Sequence, residues 1–246
     1  ISGRLSMYKI ERTIGNSHIG ADGNIKISAV VDLFQDCCGF QLDCCPVTQE
    51  FYRRCNAVTF LLFRQLDFIR DVGYGQKVTI GTEVFQMKST YGMRNTIMYD
   101  EDGQPLIACY GGGATVNRQT GKPEAIPKDL LAIYPLGQKY EGMEYLPRKI
   151  SLPKDLEPEI FDEIPVHRYH IDVNRHMNNA RYLDVAEDYL PEGFRASRCR
   201  IAYKHPAKYG DIIVPVRYIP DSGRIIISLQ DRECEPYVNI EYRERK

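Results

Sequence analysis

The sequence predicts an α+β protein of two tandem halves, each an antiparallel sheet wrapped around one central helix. Three observations carry this reading. A helical pattern of apolar residues occurs once per half, over Ser28–Leu42 and Asn179–Leu190. Each helix is followed by a run of strand patterns separated by short turns. Residues also recur at a fixed separation: Asn174 lies 152 positions after Asp22, Asp184 lies 152 after Asp32, and Glu187-Asp188 falls on Gln35-Asp36. Beyond the helices the separation drops to 135, aligning Tyr74-Gly75 with Tyr209-Gly210, so the post-helix connection is longer by 17 residues in the first half.

Length and composition narrow the function classes. A chain of 246 residues with 43% hydrophobic and 26% charged residues can bury a sizeable core. A net charge of −1 argues against nucleic-acid binding, which favours a clearly basic chain. The longest apolar run, Ala57–Phe63, contains Thr59 and is too short to cross a bilayer, so no membrane insertion is expected. No charged-then-apolar leader opens the sequence, and its eight cysteines include no C-x-x-C pair. Reduced thiols in a cytoplasmic protein, with no metal and no cofactor, are the expectation.

In order, Leu5–Ile14 reads as a strand, Gly20–Asn24 as a turn, and Ser28 as the cap of the first helix. Gly39–Asn56 reads as a polar, cysteine-bearing connection. Four strands follow: Ala57–Arg70, Gln76–Lys88, Met93–Tyr99 and Pro105–Asn117, the last two a hairpin about Asp100–Gly103. Pro123, Pro127, Pro135, Pro147 and Pro153 mark a linker with a short helix at Lys128–Tyr134. The resulting segments are 1–122, 123–158 and 159–246. The last carries a strand at Ile160–Ile171, the second helix, and strands at Ser197–His205, Ile212–Ile219, Arg224–Asp231 and Tyr237–Arg243. Two such sheets set edge to edge, with their helices side by side, make a double hotdog.

Chemistry concentrates in Tyr169–Pro191. Asp172, Asn174 and His176 occupy alternate positions, which in extended backbone directs all three to one side. Asn178-Asn179 is a helix-capping signal, so this polar cluster sits at a helix start. Free N–H groups at Asn178, Asn179 and Ala180 would then favour an oxyanion. That is an acyl-transfer layout. His176 is the candidate general base, Asn174 holds the attacking water or the carbonyl, and Asp172 orients its neighbours. Glu187 and Asp188, two turns along the helix, are candidate auxiliary carboxylates. The first half places Asp22, Asn24 and Lys26 where the second has Asn174, His176 and Asn178, so only one of two related sites carries a histidine. The other half is left to house an acyl chain, and Gly111-Gly112-Gly113 either open such a tunnel or form a bulge. Arg195, Arg198, Arg200, Lys204 and Lys208 form a basic cluster, read either as a solvated strand face or, at Arg198, Arg200 and Lys204, as a docking patch for an acidic carrier.

The stretch Asp172-Val173-Asn174-Arg175-His176-Met177-Asn178-Asn179-x-x-Tyr182 resembles the signature of the acyl-ACP thioesterases. Ile19–Asp22, Val116-Asn117, Lys122-Pro123 and Ile126-Pro127 extend the likeness through the first half. The resemblance implies a tandem hotdog that hydrolyses fatty acyl-ACP to free fatty acid in fatty-acid biosynthesis, with acyl carrier protein as partner. It carries the motif's Asp, Asn and His onto Asp172, Asn174 and His176. The pattern departs where many relatives have a Glu-Cys pair: here stand Pro206 and Ala207, and the chain has no Trp. Water activated by His176, rather than a cysteine, is therefore the expected nucleophile. A homodimer is compatible with this reading. The alternatives are an acyl-CoA thioesterase, a hotdog-type enoyl hydratase or a non-catalytic acyl-binding module. The hydratases place Pro and a longer gap before His, whereas Arg175 alone separates Asn174 from His176.

Overall fold

Residues 7–245 are described by the structure, a computed structural model. The first strand is β1 (Tyr8–Thr13); the part expected from Leu5 lies outside the described residues. A 3-10 turn at Asn16–His18 leads to α1 (Ile27–Asp43). Val30, Val31, Phe34 and Cys37 are fully buried at helical spacing, and this stripe holds α1 against the sheet. The helix starts one residue before Ser28, which is buried and caps nothing; Lys26 occupies the N-cap without a side-chain bond. The connection expected over Gly39–Asn56 is largely helical. After α1 ends, α2 (Pro46–Cys55) follows, with Pro in its first turn, Arg53 and Arg54 in its last, and Asn56 closing it at φ 47°.

Four strands come next: β2 (Ala57–Phe68), β3 (Lys77–Met87), β4 (Tyr91–Tyr99) and β5 (Pro105–Asn117). The crossing segment contains the short helix α3 (Lys128–Ala132). The strand expected at Ile160–Ile171 is broken into β6 (Glu159–Ile160) and β7 (Ile164–Pro165), and a 3-10 turn at Arg168–His170 takes its end. The second central helix, α4 (Arg181–Glu187), is shorter than the expected Asn179–Leu190. The chain closes with β8 (Ala196–Tyr203), β9 (Ile212–Asp221), β10 (Arg224–Gln230) and β11 (Pro236–Glu244).

All strands belong to one antiparallel sheet in the order β1-β3-β4-β5-β2-β8-β11-β10-β9-β6, with β7 also on β9. The seam is the β2–β8 pair, where Gln65 faces Arg200. Those two residues are themselves 135 positions apart, so a pseudo-twofold axis passes between them. Counting outward from it, Arg64 corresponds to Cys199. Gly111, opposite Arg64, corresponds to Tyr242, opposite Cys199; Arg94, opposite Gly111, corresponds to Ile225, opposite Tyr242. The loops repeat as well. His18 Nδ1 accepts the Gly15 N–H at 3.1 Å and His170 Nδ1 accepts the His167 N–H at 3.1 Å. Bridges Ile19–Ile25 and Ile171–Met177 then close equivalent loops.

Residues 133–158 cross the outer face of the sheet as a strap without helix or strand. Gln65 Nε2 donates to the Glu144 carbonyl at 2.6 Å, and Asn95 Oδ1 accepts from the Tyr145 hydroxyl at 2.9 Å and the Tyr140 N–H at 3.0 Å. Ile150 is buried against Ala202 and Ile226.

Candidate active site

Asp172 to His176 form a tight loop, not the extended segment that their alternation predicted. Asp172 N–H donates to the His176 carbonyl at 2.8 Å, and Arg175 turns the chain with φ 62°. Gly23, at the same place in the first-half loop, has φ 80°. A side chain in that left-handed conformation costs about 1 kcal/mol or more, so Arg175 is held there by the loop's closure. Met177 N–H donates to the Ala207 carbonyl at 2.8 Å and Asn178 N–H to the His170 carbonyl at 2.8 Å, anchoring the far side. The loop is then docked onto the other half. Asn179 Nδ2 donates to Gln35 Oε1 of α1 at 2.9 Å, and Arg181 of α4 pairs with Asp32 of α1.

Two cavities meet at this loop. An inner one of about 310 Å³ lies in the first half between α1, α2 and the sheet, walled by apolar residues such as Leu42, Phe51, Val84 and Ile126. An outer cleft of about 460 Å³ is lined by His176, Phe60, Tyr182, Lys204, His205 and Pro206. Thr59, Leu61, Asp172, Asn174 and Asn179 border both, and so form the doorway between them. All three motif residues thus reach one cleft, although the backbone that gathers them is a turn. The Phe60 ring stands 6.3 Å from the His176 ring, centroid to centroid.

Several expected roles change. The Asp172 carboxylate accepts the Asn174 N–H at 2.8 Å, and no hydrogen bond joins it to His176 among the described residues. Its contribution is to hold the loop. Ala180 N–H is taken by Asn178 Oδ1 at 2.8 Å, and Asn178 N–H is taken by His170. Of the three expected oxyanion donors only Asn179 N–H has no protein acceptor among the described residues, and Asn179 stands at the doorway. Glu187 does not face His176. It lines a separate cleft with Asp22, Asn24 and Lys26, because α4 carries it to the first-half loop, and Asp188 is exposed. Arg198 pairs with Asp67 at 2.7 Å and with Glu144 of the strap at 2.8 Å. Arg200 pairs with Glu241 at 2.7 Å and donates to the Pro147 carbonyl. Both guanidiniums are tied down beneath the strap, which leaves Lys204, exposed beside the cleft, as the basic residue of that patch at the site.

Other residues take places that the sequence reading did not assign. His205 is a second imidazole in the outer cleft, 3.8 Å from the Asp231 carboxylate; it directly precedes Pro206, which was a signal. Ala207 is fully buried, and its N–H donates to the Tyr182 hydroxyl at 2.9 Å. Burial pushes that phenol up to about 12, so it stays neutral and braces the strand end. In the inner cavity, Cys38 hydrogen-bonds Thr96 and Thr82 at 3.3 and 3.5 Å. Burial raises its thiol, but Arg94, Arg64 and the two threonines more than reverse this and bring it down to about 7. Other buried cysteines show the opposite: burial pushes Cys37 and Cys109 up to about 12 and raises Cys199 as well.

A loop of one half laid on the helix of the other, above the inner cavity, defines a tandem hotdog. The chain belongs to the acyl-ACP thioesterase family: the family's N-terminal domain matches residues 6–134 and its C-terminal domain residues 153–239. Membership makes it a thioester hydrolase. No curated protein matches it by sequence. Among solved structures it is similar to an acyl-ACP thioesterase of Bacteroides thetaiotaomicron (TM-score 0.85, 16% identity, 97% of this chain and 98% of that one). A provisionally assigned oleoyl thioesterase of Lactobacillus plantarum (0.83, 20%, 98% and 97%) and the 12:0-ACP thioesterase of Umbellularia californica (0.80, 15%, 97% and 94%) are similar too. At these identities the structural likeness speaks to fold alone. No helix of the described residues is long and apolar enough to cross a membrane.

Proposed function

We propose that this chain hydrolyses fatty acyl-ACP, with the acyl chain in the inner cavity and the carrier's pantetheine arm in the outer cleft. The observation that carries the reading is the doorway: the two cavities share Asp172, Asn174 and Asn179, so a thioester threaded through both places its carbonyl beside them. Asn179 N–H is positioned to donate to the carbonyl oxygen, a preorganised contact worth ~2.7–4 kcal/mol at the transition state. Asn174 holds a water whose proton passes to His176 as its oxygen attacks. The tetrahedral intermediate collapses with loss of the pantetheine thiolate, which takes up the proton, and the free acid remains. A thiolate is a good leaving group, so neither a Glu nor a Cys is needed at Pro206 and Ala207. Lys204 and Arg175, exposed around the cleft, present positive charge to an acidic carrier.

The test is thiol release from a panel of acyl-ACPs and acyl-CoAs. Turnover of acyl-ACP is expected, and His176→Ala should lower kcat by ~10²–10⁴ with the melting temperature unchanged. Faster turnover of the CoA series would move the carrier assignment. Hydration of an enoyl thioester without thiol release would replace hydrolysis by a lyase reaction.

A further inference from the structure

The inner cavity is apolar over much of its wall, yet it holds two guanidiniums. Arg94, Gly111 and Arg64 sit side by side on β4, β5 and β2, in direct register. All three line the cavity. Arg64 is 6% exposed and Arg94 is only partly exposed. Neither forms an ion pair with a carboxylate among the described residues. Arg64 donates to the Val31 carbonyl of α1 at 3.1 Å, and Arg94 donates to Gln41 Oε1 at 3.0 Å. Between them Gly111 leaves a slot: a Cβ there would stand 3.3 Å from Arg64 Cγ and 3.1 Å from the Phe63 carbonyl.

Buried arginines are ordinarily paired, because desolvating a charge without a counter-ion is costly. Of the ionisable groups near them, the Asp32 carboxylate is paired with Arg181, burial pushes the Cys109 thiol up to about 12 and keeps it neutral, and Cys38 lines the slot itself. Its thiol titrates near 7 through burial opposed by Arg94 and Arg64, so at neutral pH it offers less than one negative charge to two cations. The fold does not require these groups. At the equivalent positions of the second half stand Cys199, Tyr242 and Ile225, all buried and forming solid core. The first half has exchanged that core for a cationic slot within the space a substrate chain would enter.

We infer that the acyl group this enzyme takes carries an oxygen substituent, a carboxylate or a hydroxyl or oxo group along the chain, which sits over Gly111 between Arg64 and Arg94. A plain hydrocarbon chain would cover both guanidiniums and add no acceptor to those of Val31, Gln41 and Thr82. A carboxylate would receive charge-assisted bonds from both, and a hydroxyl or oxo group one or two neutral-acceptor bonds. This rests on the hydrolase reading of the doorway and adds a substrate class to it.

The experiment compares acyl thioesters of matched length: saturated, 3-hydroxy, 3-oxo and ω-carboxy. It is paired with thermal shifts of the protein by the corresponding free acids. At least tenfold higher kcat/KM for one oxygenated series is expected, together with the larger thermal shift from its acid. The ω-carboxy arm distinguishes an anionic substituent from a neutral one. Arg64→Met and Arg94→Met should each narrow the ratio, and removal of an uncompensated buried cation should leave the folded state at least as stable. Equal or better turnover of saturated chains overturns the inference, as does a preference unchanged in both variants. Absence of all thioester hydrolysis would instead sink the hydrolase reading. The thermal shifts would then still decide the arginine slot, with equal shifts from plain and oxygenated acids counting against it.

Discussion

The two halves share a backbone plan but fill it differently, and the row beginning at the seam shows how. In the first half Arg64, Gly111 and Arg94 border a cavity; in the second Cys199, Tyr242 and Ile225 close the same space. One large ring in place of a glycine turns a cavity into core. The loops diverge in parallel. His176 stands in the second-half loop and Asn24 in its counterpart, while Gln35, which anchors Asn179 beside the doorway, is replaced across the axis by Glu187. Duplication supplies two frames, and side-chain volume and charge leave one of them equipped.

Re-opening the filled half is the most drastic way to challenge this comparison. Tyr242→Ala removes a fully buried ring from the second-half core and should cost ~3–5 kcal/mol, read by chemical denaturation. A loss below about 1 kcal/mol would mean that the ring does not close that space.

Glu187 gives a smaller, pH-dependent effect. Burial pushes its carboxyl up to about 8, with Asp184 and Asp188 adding and Lys26 opposing, and Oε1 has no hydrogen-bond partner among the described residues. Between the unfolded carboxylate range near 4.5 and about 8 the folded state therefore binds more protons than the unfolded chain. Stability should fall as pH rises through that window, by up to about 1.4 kcal/mol per unit, and level off above it. Glu187→Gln should flatten this slope and be the more stable protein at pH 8.5. Parallel pH–stability curves for the two proteins would show that the carboxyl is not held neutral.

The smallest effects concern the glycines. A Cβ on Gly112 meets the Phe63 ring edge at 2.5 Å on the strap face, where Phe63 packs against Tyr110. Gly112→Ala should thus cost ~1–3 kcal/mol of stability and leave the preferred acyl chain length unchanged. On Gly113 the Cβ meets Thr59 Cγ2 at 2.7 Å beside the doorway and the Phe60 carbonyl, a backbone atom, at 2.8 Å, so Gly113→Ala should disturb the doorway as well as stability. A shortened chain-length profile in Gly112→Ala would place the acyl group against the strap face instead.

The double hotdog was legible because helical and strand periods repeat with recognisable residues at fixed offsets. What escaped notice had physical reasons. The helix Pro46–Cys55 is polar on average and short, and its apolar face is only Val47, Phe51 and Tyr52, so its punctuation, Pro46 and Asn56, was the clearer mark. Asp172, Asn174 and His176 were singled out and do border one cleft, but alternation suggested a strand where Arg175 makes a turn. The helix start was found as well, yet Asn178 uses its own side chain to satisfy Ala180, and sequence does not reveal which donors stay free. Arg198 and Arg200 looked available because the strap that covers them is distant in sequence. Arg64 and Arg94 went unremarked because each is one charge in an otherwise ordinary strand. Their meaning appears only once register sets Gly111 between them.

The central claim is that one of the two related frames is a working site. Titration of the wild-type protein with a non-hydrolysable acyl-pantetheine thioether, followed by calorimetry, tests it directly. The account predicts one ligand bound per chain, with no second binding event at higher concentration. Two ligands per chain would mean that the Glu187 cleft or an opened second half also receives the acyl-pantetheine group, and would contradict it.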